Sequence, residues 1–316
     1  MKTKFSTFIA ILFGVAALTA AQLSPVSALE AGDIVMQVNP AEQSISLNPS
    51  EVYRGSIKVQ NIGRLPFTFT LSTKPYQVLN DNYDPDFYTQ NDYTKLSNWI
   101  TYDENNIRLE PGVEREVGYT INVPDDIPGG GQYAAIIIET RDSISEGASF
   151  RVISQLASLI YAHVSGEEHI GGVVTARSLP SFLLSSPFAA RVTVKNDGNV
   201  DFRVTHTLDI YNFFTNQPVF SSDAVSSDGT NVGRATPIIL PATSRANALT
   251  WDGAPELGLF RAVQKISFLD QEYTYEQVVF LCPTWLAGLA IFFVALMVIW
   301  IILRIRKRHK SRPQSF

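Results

Sequence analysis

Residues Trp285 to Leu303 form a run of nineteen without one charged side chain, closed by Arg304, Arg306, Lys307, Arg308, Lys310 and Arg312. At a rise of ~1.5 Å per helical residue the run is roughly 29 Å long, which matches the ~30 Å hydrocarbon core of a bilayer. A backbone in hydrocarbon must satisfy its own N–H and C=O groups, so the segment is expected to cross a membrane as a helix. A core helix of a water-soluble domain would show a polar stripe, and this run has none. The basic residues that follow, with no acidic one among them, predict a cytoplasmic C-terminus and place everything upstream outside. The helix is expected over 281–303 and the basic tail over 304–316.

At the other end Lys2 and Lys4 precede an apolar stretch from Phe8 to Leu18, and Val26-Ser27-Ala28 offers small residues for a signal peptidase. This predicts a secretory signal over 1–28, with an uncleaved anchor as the alternative. Signal and span together predict a single-pass protein of the plasma membrane with its N-terminal part outside. About 250 residues lie between, room for two domains of ordinary size.

The net charge of −5 conceals a segregation. With the two Lys of the signal and the six basic residues of the tail set aside, 17 basic residues face 30 acidic ones, so the exterior carries about −13. Nucleic acid and anionic lipid are excluded as partners for that surface, whereas the tail suits the anionic inner leaflet. One cysteine, Cys282, allows no intrachain disulfide. An exported two-domain chain without disulfides fits a bacterial envelope. Cys282 lies too far from the signal to be a lipoprotein cysteine and reads as a bland residue at the edge of the span.

From Asp33 onward the chain turns to short runs rich in Val, Ile, Thr, Tyr and Phe, broken every eight to twelve residues by Pro, Gly, Asn and Asp. Ser56-Ile57-Lys58-Val59 and Tyr119-Thr120-Ile121-Asn122-Val123 alternate apolar with polar, as strands with one wet face do. An internal repeat organises these runs. Val59-Gln60-Asn61-Ile62-Gly63 precedes Phe67-Thr68-Phe69, and Val194-Lys195-Asn196-Asp197-Gly198 precedes Phe202-Arg203-Val204 at the same interval. Asn and Gly are expected to supply the positive φ of a hairpin turn. Leu109-Glu110-Pro111-Gly112 and Leu240-Pro241-Ala242 follow as second cues, and strands open after Gly131 and at Gly258. The expected fold is all-β, two tandem immunoglobulin-like β-sandwiches followed by one C-terminal transmembrane α-helix. The first sandwich is expected over 29–165 and the second over 166–280, with Thr140 as an alternative end of the first.

The stretch from Leu79 to Asn98 shows no regular alternation, and a loop of that length in a compact domain is usually functional. Its candidate ligand-binding residues are Tyr83, Asp84, Asp86, Phe87, Tyr88, Asn91, Asp92 and Tyr93. Aromatic rings exposed among amides and carboxylates suit a glycan, because a ring stacks on the apolar face of a sugar while polar groups take its hydroxyls. The competing reading is a solvated loop whose rings pack back onto the sheet, with Trp99 in the core. Asn80, Asn82, Asp84 and Asp86 alternate, but the glycine and distal glutamate of a calcium loop are missing.

Catalytic signatures are absent: there is no Gly-x-Ser-x-Gly, no His-Glu-x-x-His and no Gly-x-x-x-x-Gly-Lys. His163 and His169 bracket Glu167 and Glu168 at a turn between expected domains, without the fixed face a metal needs. His206 is expected to face out from its strand. No catalytic residue, cofactor or metal site is assigned.

In architecture the chain resembles the WxL-interacting proteins of Gram-positive bacteria. The resemblance rests on Leu47-Asn48-Pro49, Ile57-Lys58-Val59-Gln60-Asn61, Leu109-Glu110-Pro111-Gly112, Tyr119-Thr120-Ile121-Asn122-Val123-Pro124 and Gly130-Gly131-Gln132-Tyr133-Ala134-Ala135-Ile136. It implies a non-catalytic cell-surface binding protein whose first domain binds peptidoglycan or another envelope glycan and whose second holds a surface protein. The Tyr/Asn/Asp-rich loop is longer than in that family, and the second domain has no helical insertion. A second hypothesis from the same residues is an assembly or chaperone-like factor that acts by strand addition, with Ser56 to Val59 as an example of an edge.

Overall fold

The computed structural model describes residues 34–141, 153–222 and 237–310. The signal expected at 1–28 and the last six residues of the tail lie outside them. The first part of the chain forms β1 (Met36–Asn39), β2 (Glu42–Leu47), β3 (Val52–Asn61), β4 (Phe67–Pro75), β5 (Gln77–Val78), β6 (Pro85–Asp86), β7 (Ile100–Tyr102), β8 (Ile107–Leu109), β9 (Glu114–Asn122), β10 (Gly130–Arg141) and β11 (Gln155–Val164). The second part forms β12 (Gly172–Ser178), β13 (Phe182–Leu183), β14 (Phe188–Asn196), β15 (Phe202–Arg203), β16 (Thr205–Asn212), β17 (Pro218–Ser221), β18 (Ile238–Ile239), β19 (Ser244–Trp251), β20 (Gly258–Phe268) and β21 (Gln271–Leu281). One helix, α1 (Thr284–Lys310), follows. The protein is all-β with two immunoglobulin-like sandwiches and a single C-terminal apolar helix.

Both sandwiches are wired alike. One sheet of the first runs β1-β3-β9-β7 and the other β2-β11-β10-β4-β8; the second has β12-β14-β19 against β13-β21-β20-β16-β17. In each, the opening strand starts beside the second long strand (β1 on β3, β12 on β14). The chain then crosses to the opposite sheet, where β2 runs parallel to β11 and β13 parallel to β21. Ser56 to Val59 is therefore only partly an edge, since β1 covers Lys58 and Val59 but not Ser56 or Ile57. It sits inside β3, which pairs along its length with β9 and at Lys58 to Asn61 with β1.

The repeated asparagines explain the turns, by a route other than the expected backbone geometry. Asn61 and Asn196 are fully buried strand residues that end β3 and β14. The Asn61 amide donates to the carbonyls of Leu65 (2.9 Å) and Leu109 (3.2 Å) and accepts from the Gly63 N–H (2.9 Å). Asn196 makes the corresponding bonds to Val200 (2.8 Å), Ile239 (2.9 Å) and the Gly198 N–H (2.8 Å). One side chain thus closes a hairpin and ties it to the next strand pair in each copy. The second cue also matches, with Gly112 at φ 77° and Ala242 at φ 57° after Pro111 and Pro241.

The first core gathers Leu47, Ile57, Phe69, Tyr119, Ile121, Ala134 and Ile136 between its sheets. In the second, a polar seam divides two apolar clusters, one around Phe188, Leu208 and Trp251 and one around Val192, Val204 and Ile266. His206 lies in that seam, fully buried rather than facing out. It shares parity with Val204 and Leu208, and residues two apart on a strand point the same way. Its Nδ1 meets Asn247 Oδ1 at 2.5 Å and its Nε2 meets Gln264 Nε2 at 2.9 Å. Gln264 must donate, so Nε2 accepts, Nδ1 carries the proton and the ring is neutral. Burial lowers its pKa further below 6.5.

The apolar helix starts later than expected. Leu281 pairs with Gly258 at the end of β21, and Cys282 is buried with its N–H on the Leu183 carbonyl (2.9 Å). Both belong to the second sandwich. The Pro283 carbonyl then accepts from Leu286 and Ala287 to open α1. Thr284–Arg306 is long and apolar enough to cross a membrane, and its most apolar stretch has no buried residue.

Candidate functional site

The Leu79 to Asn98 stretch is folded rather than open: β6 within it pairs with β5 just before it, and a 3-10 turn spans Lys95–Asn98. Tyr83 is half-buried against the second sandwich, where its hydroxyl accepts the Leu240 N–H (2.5 Å) and the Arg245 guanidinium lies 4.0 Å above its ring. Phe87 stacks on Tyr76 at 5.9 Å, and Tyr93 packs on the same cluster, its carbonyl taking the Tyr133 N–H at 2.7 Å. The polar residues are mostly engaged within the loop. Asp84 accepts from Asn80, Asn91 caps the Tyr93 N–H, and Asp92 pairs with Lys95 at 3.0 Å. Asp86 is buried; the Gln77 amide and the Tyr88 and Thr89 N–H groups hold its carboxyl at a pKa of about 2. Of the four aromatics expected to be exposed, Tyr88 alone is, at 85%. The sequence shows the rings but not the second sandwich they pack on.

These contacts are half of a joint between the sandwiches. Tyr133 on β10 donates to Asp201 Oδ1 (2.8 Å) and accepts the Asp201 N–H (3.2 Å). Burial, then the neighbouring Asp201 carboxylate, pushes its pKa far above the ordinary tyrosine value. Asn199 reaches back to the carbonyls of Gly129 (3.1 Å) and Glu167 (2.9 Å). At Gly129 a Cβ would lie 2.5 Å from the Gly166 Cα, so only glycine lets the connecting segment pass there. Tyr133, Ala135 and Tyr161 pack with Ile238 and Leu240 across the joint, which explains why β10 is buried on both faces. An open cleft of ≈ 320 Å³ beside it includes Glu42, Arg203 and Arg245. Arg203 pairs there with Glu42 at 3.3 Å, and Arg245 donates to the Ile238 carbonyl.

The other distinctive feature is the edge of β21. Its inner side pairs with β20 from Gln271 to Leu281, but on its outer side β13 pairs only with Phe280 and Leu281. The Phe280 and Cys282 N–H groups point at β13, to the carbonyls of Ser181 and Leu183. Alternate residues of a strand aim their backbone groups the same way, so those of Glu272, Thr274, Glu276 and Val278 point outward. Among the described residues no strand covers Gln271 to Val279 on that side. Its flanking side chains are Glu272, Thr274 and Glu276, all exposed, with Glu276 3.3 Å from Arg261. Among the described residues no group of three His, Cys, Asp or Glu side chains is placed to hold a metal. His163 Nε2 lies 3.1 Å from Glu168 Oε1.

No family model matches the chain, and no curated protein does. Solved structures with similar folds include the class 5 fimbriae chaperone CfaA, with 14% identity over 78% of this chain and 99% of that one at a TM-score of 0.38. The Escherichia coli chaperone DraB has 11% identity over 78% and 98% at 0.35. The Acinetobacter baumannii CsuC-CsuE chaperone and tip-adhesion subunit complex matches with 10% identity over 71% and 92% at 0.37. Likenesses this distant carry no argument about what this chain binds.

Proposed function

We propose that this protein is a membrane-anchored, non-catalytic holder of another exported polypeptide, which it takes as an added strand along the open edge of β21. The observation that carries the reading is the nine-residue outer edge from Gln271 to Val279, which lacks a neighbouring strand among the described residues. A row of unpaired N–H and C=O groups is a template for one more strand: main-chain hydrogen bonds give affinity, and alternate side chains give selectivity. Exposed Glu272 and Glu276 limit pairing between copies, since like charges would meet. Helix α1 spans the membrane in this reading and keeps the edge at the surface where exported chains emerge. The Tyr83 to Tyr93 loop stabilises the joint that fixes the first sandwich above it.

The test uses the full chain in its native membrane, with a photo-crosslinking side chain in place of Glu272. The expected outcome is a covalent adduct with another exported polypeptide, retained by Thr274→Ala and lost with Thr274→Pro. Proline there removes an outward donor without removing a bond to β20, and edge strands tolerate it. Adduct formation that is indifferent to Thr274→Pro, or no adduct from a correctly inserted chain, would overturn the reading.

A further inference from the structure

We propose that the lower end of the second sandwich carries an apolar collar that seats in the outer boundary of the lipid bilayer, so that this sandwich rests on the membrane instead of swinging from α1. The inference rests on the reading of α1 as a membrane span. It concerns residues outside that helix.

The exposed large hydrophobic side chains of the second sandwich are concentrated at one end. Phe182 (51%), Leu184 (43%), Phe213 (44%), Phe214 (80%), Leu257 (53%) and Phe280 (40%) come from four segments far apart in sequence. The sheet brings them together. Leu281 pairs with Gly258, Phe280 pairs with Leu259 and Phe182, and the Phe213 N–H donates to the Leu259 carbonyl at 3.1 Å. The Phe182 and Phe280 rings lie 6.0 Å apart and the Phe213 and Phe214 rings 5.4 Å apart. The turns after β13, β16 and β19 thus share the end at which β21 terminates.

Chain continuity identifies the occupant. Only Cys282 and Pro283 separate β21 from α1, and Cys282 is held to Leu183 in the collar's own segment. Trp285, 66% exposed, begins the apolar run at the depth where membrane proteins place interfacial aromatics. A span that begins there brings the boundary of the hydrocarbon to within a few residues of the collar. Scattered apolar residues on a surface need no explanation, but six of them gathered at one end of a sandwich beside a membrane entry point do. Charge refines the partner. Residues 179–187, 213–217 and 252–257 contain no Lys or Arg and only Asp252 and Glu256 as charges; the Arg261 guanidinium that reaches Asn216 at 2.9 Å is offset by Glu276 at 3.3 Å. The collar therefore suits the boundary between headgroups and acyl chains of a neutral bilayer, with apolar burial as the driving term and no electrostatic attraction to anionic lipid.

The experiment uses the full chain at one copy per phosphatidylcholine nanodisc, in a Cys282→Ala background, with a single nitroxide at Phe214→Cys, Val173→Cys or Val294→Cys. Val173, 43% exposed, lies on β12 at the opposite end of the same sandwich, and Val294 lies in α1. The label at 214 is expected to collide several-fold more with oxygen, and several-fold less with a water-soluble nickel chelate, than the label at 173. The difference should persist at high salt. Equal accessibility at 214 and 173 while 294 is shielded overturns the collar and leaves the span intact; exposure at 294 overturns the span itself. Shielding at 214 that appears only with two copies per disc also overturns the collar, because it assigns the patch to self-association. Phe214→Asp, which removes the most exposed ring of the collar, should leave thermal stability unchanged and increase nickel access at a label on Leu257→Cys.

Discussion

The two sandwiches share a strand order but not a seal. In the first, β2 lies along six residues of β11, from Leu159 to Val164. In the second, β13 covers two residues of β21. The difference arises where the opening strand changes sheets. β1 has four residues, and Pro40-Ala41 takes the chain directly to β2. β12 has seven, followed by Leu179-Pro180-Ser181, so little chain remains before β14 to line the opposite edge. Topology alone does not decide how much of β11 or β21 is covered; the length of the opening strand does.

Hydrogen exchange tests that contrast most strongly. The Leu159 and Ser165 N–H groups bond to Ala41 and Leu47 and should open only with the first sandwich. The outward amides of Glu272, Thr274, Glu276 and Val278 should exchange close to unstructured rates, a difference on the order of 10³-fold or more given ordinary domain stability. Slow exchange at all four in the purified chain would mean that the edge is already covered, and the contrast between the sandwiches would collapse.

A smaller effect tests the similarity instead of the difference. Asn61→Ala and Asn196→Ala each strand one buried carbonyl, one part-buried carbonyl and one N–H, so each should destabilise its own sandwich by about 2–4 kcal/mol. Urea unfolding followed through Trp99 in the first core and Trp251 in the second assigns each loss to its domain. A loss in one variant with none in the other would show that the matching bond sets are not matching supports.

Much of this was legible in the residues. The β-rich class, the tandem sandwiches and the apolar helix follow from alternation, from a repeat marked by Asn61 and Asn196, and from a run without charge. The function of those asparagines was less legible: turn composition points to the backbone, whereas the side-chain amide closes the hairpin. His206 is expected to face out, although its parity with Val204 and Leu208 already puts it on the inner face. Rings such as Tyr83 and Phe87 look like a ligand platform because local sequence cannot show a covering domain more than a hundred residues away. The open edge of β21 was invisible for a similar reason, since it depends on how far β13 reaches and not on any motif in β21 itself.

The buried seam of the second sandwich gives the smallest predicted effect and separates the two cores by pH. His206 is neutral in the folded state, with a pKa lowered by burial from 6.5. A group whose folded pKa lies below its unfolded one contributes stability in full above the unfolded value and loses it as pH falls below that value. The second sandwich should therefore weaken progressively from about pH 6.5 downward, by at most about 1.4 kcal/mol per pH unit. In the loop of the first sandwich, the carboxyl of Asp86 is depressed from 3.8 to about 2, so its contribution is complete above pH 3.8 and disappears only as pH falls toward 2. Urea midpoints read at Trp251 should thus fall between pH 7 and pH 5 while those read at Trp99 change less. His206→Gln keeps an amide for Asn247 and Gln264 but cannot titrate, so it should flatten the Trp251 profile. A profile unchanged by that substitution would place the pH sensitivity outside the seam and remove the charge-based distinction between the two cores.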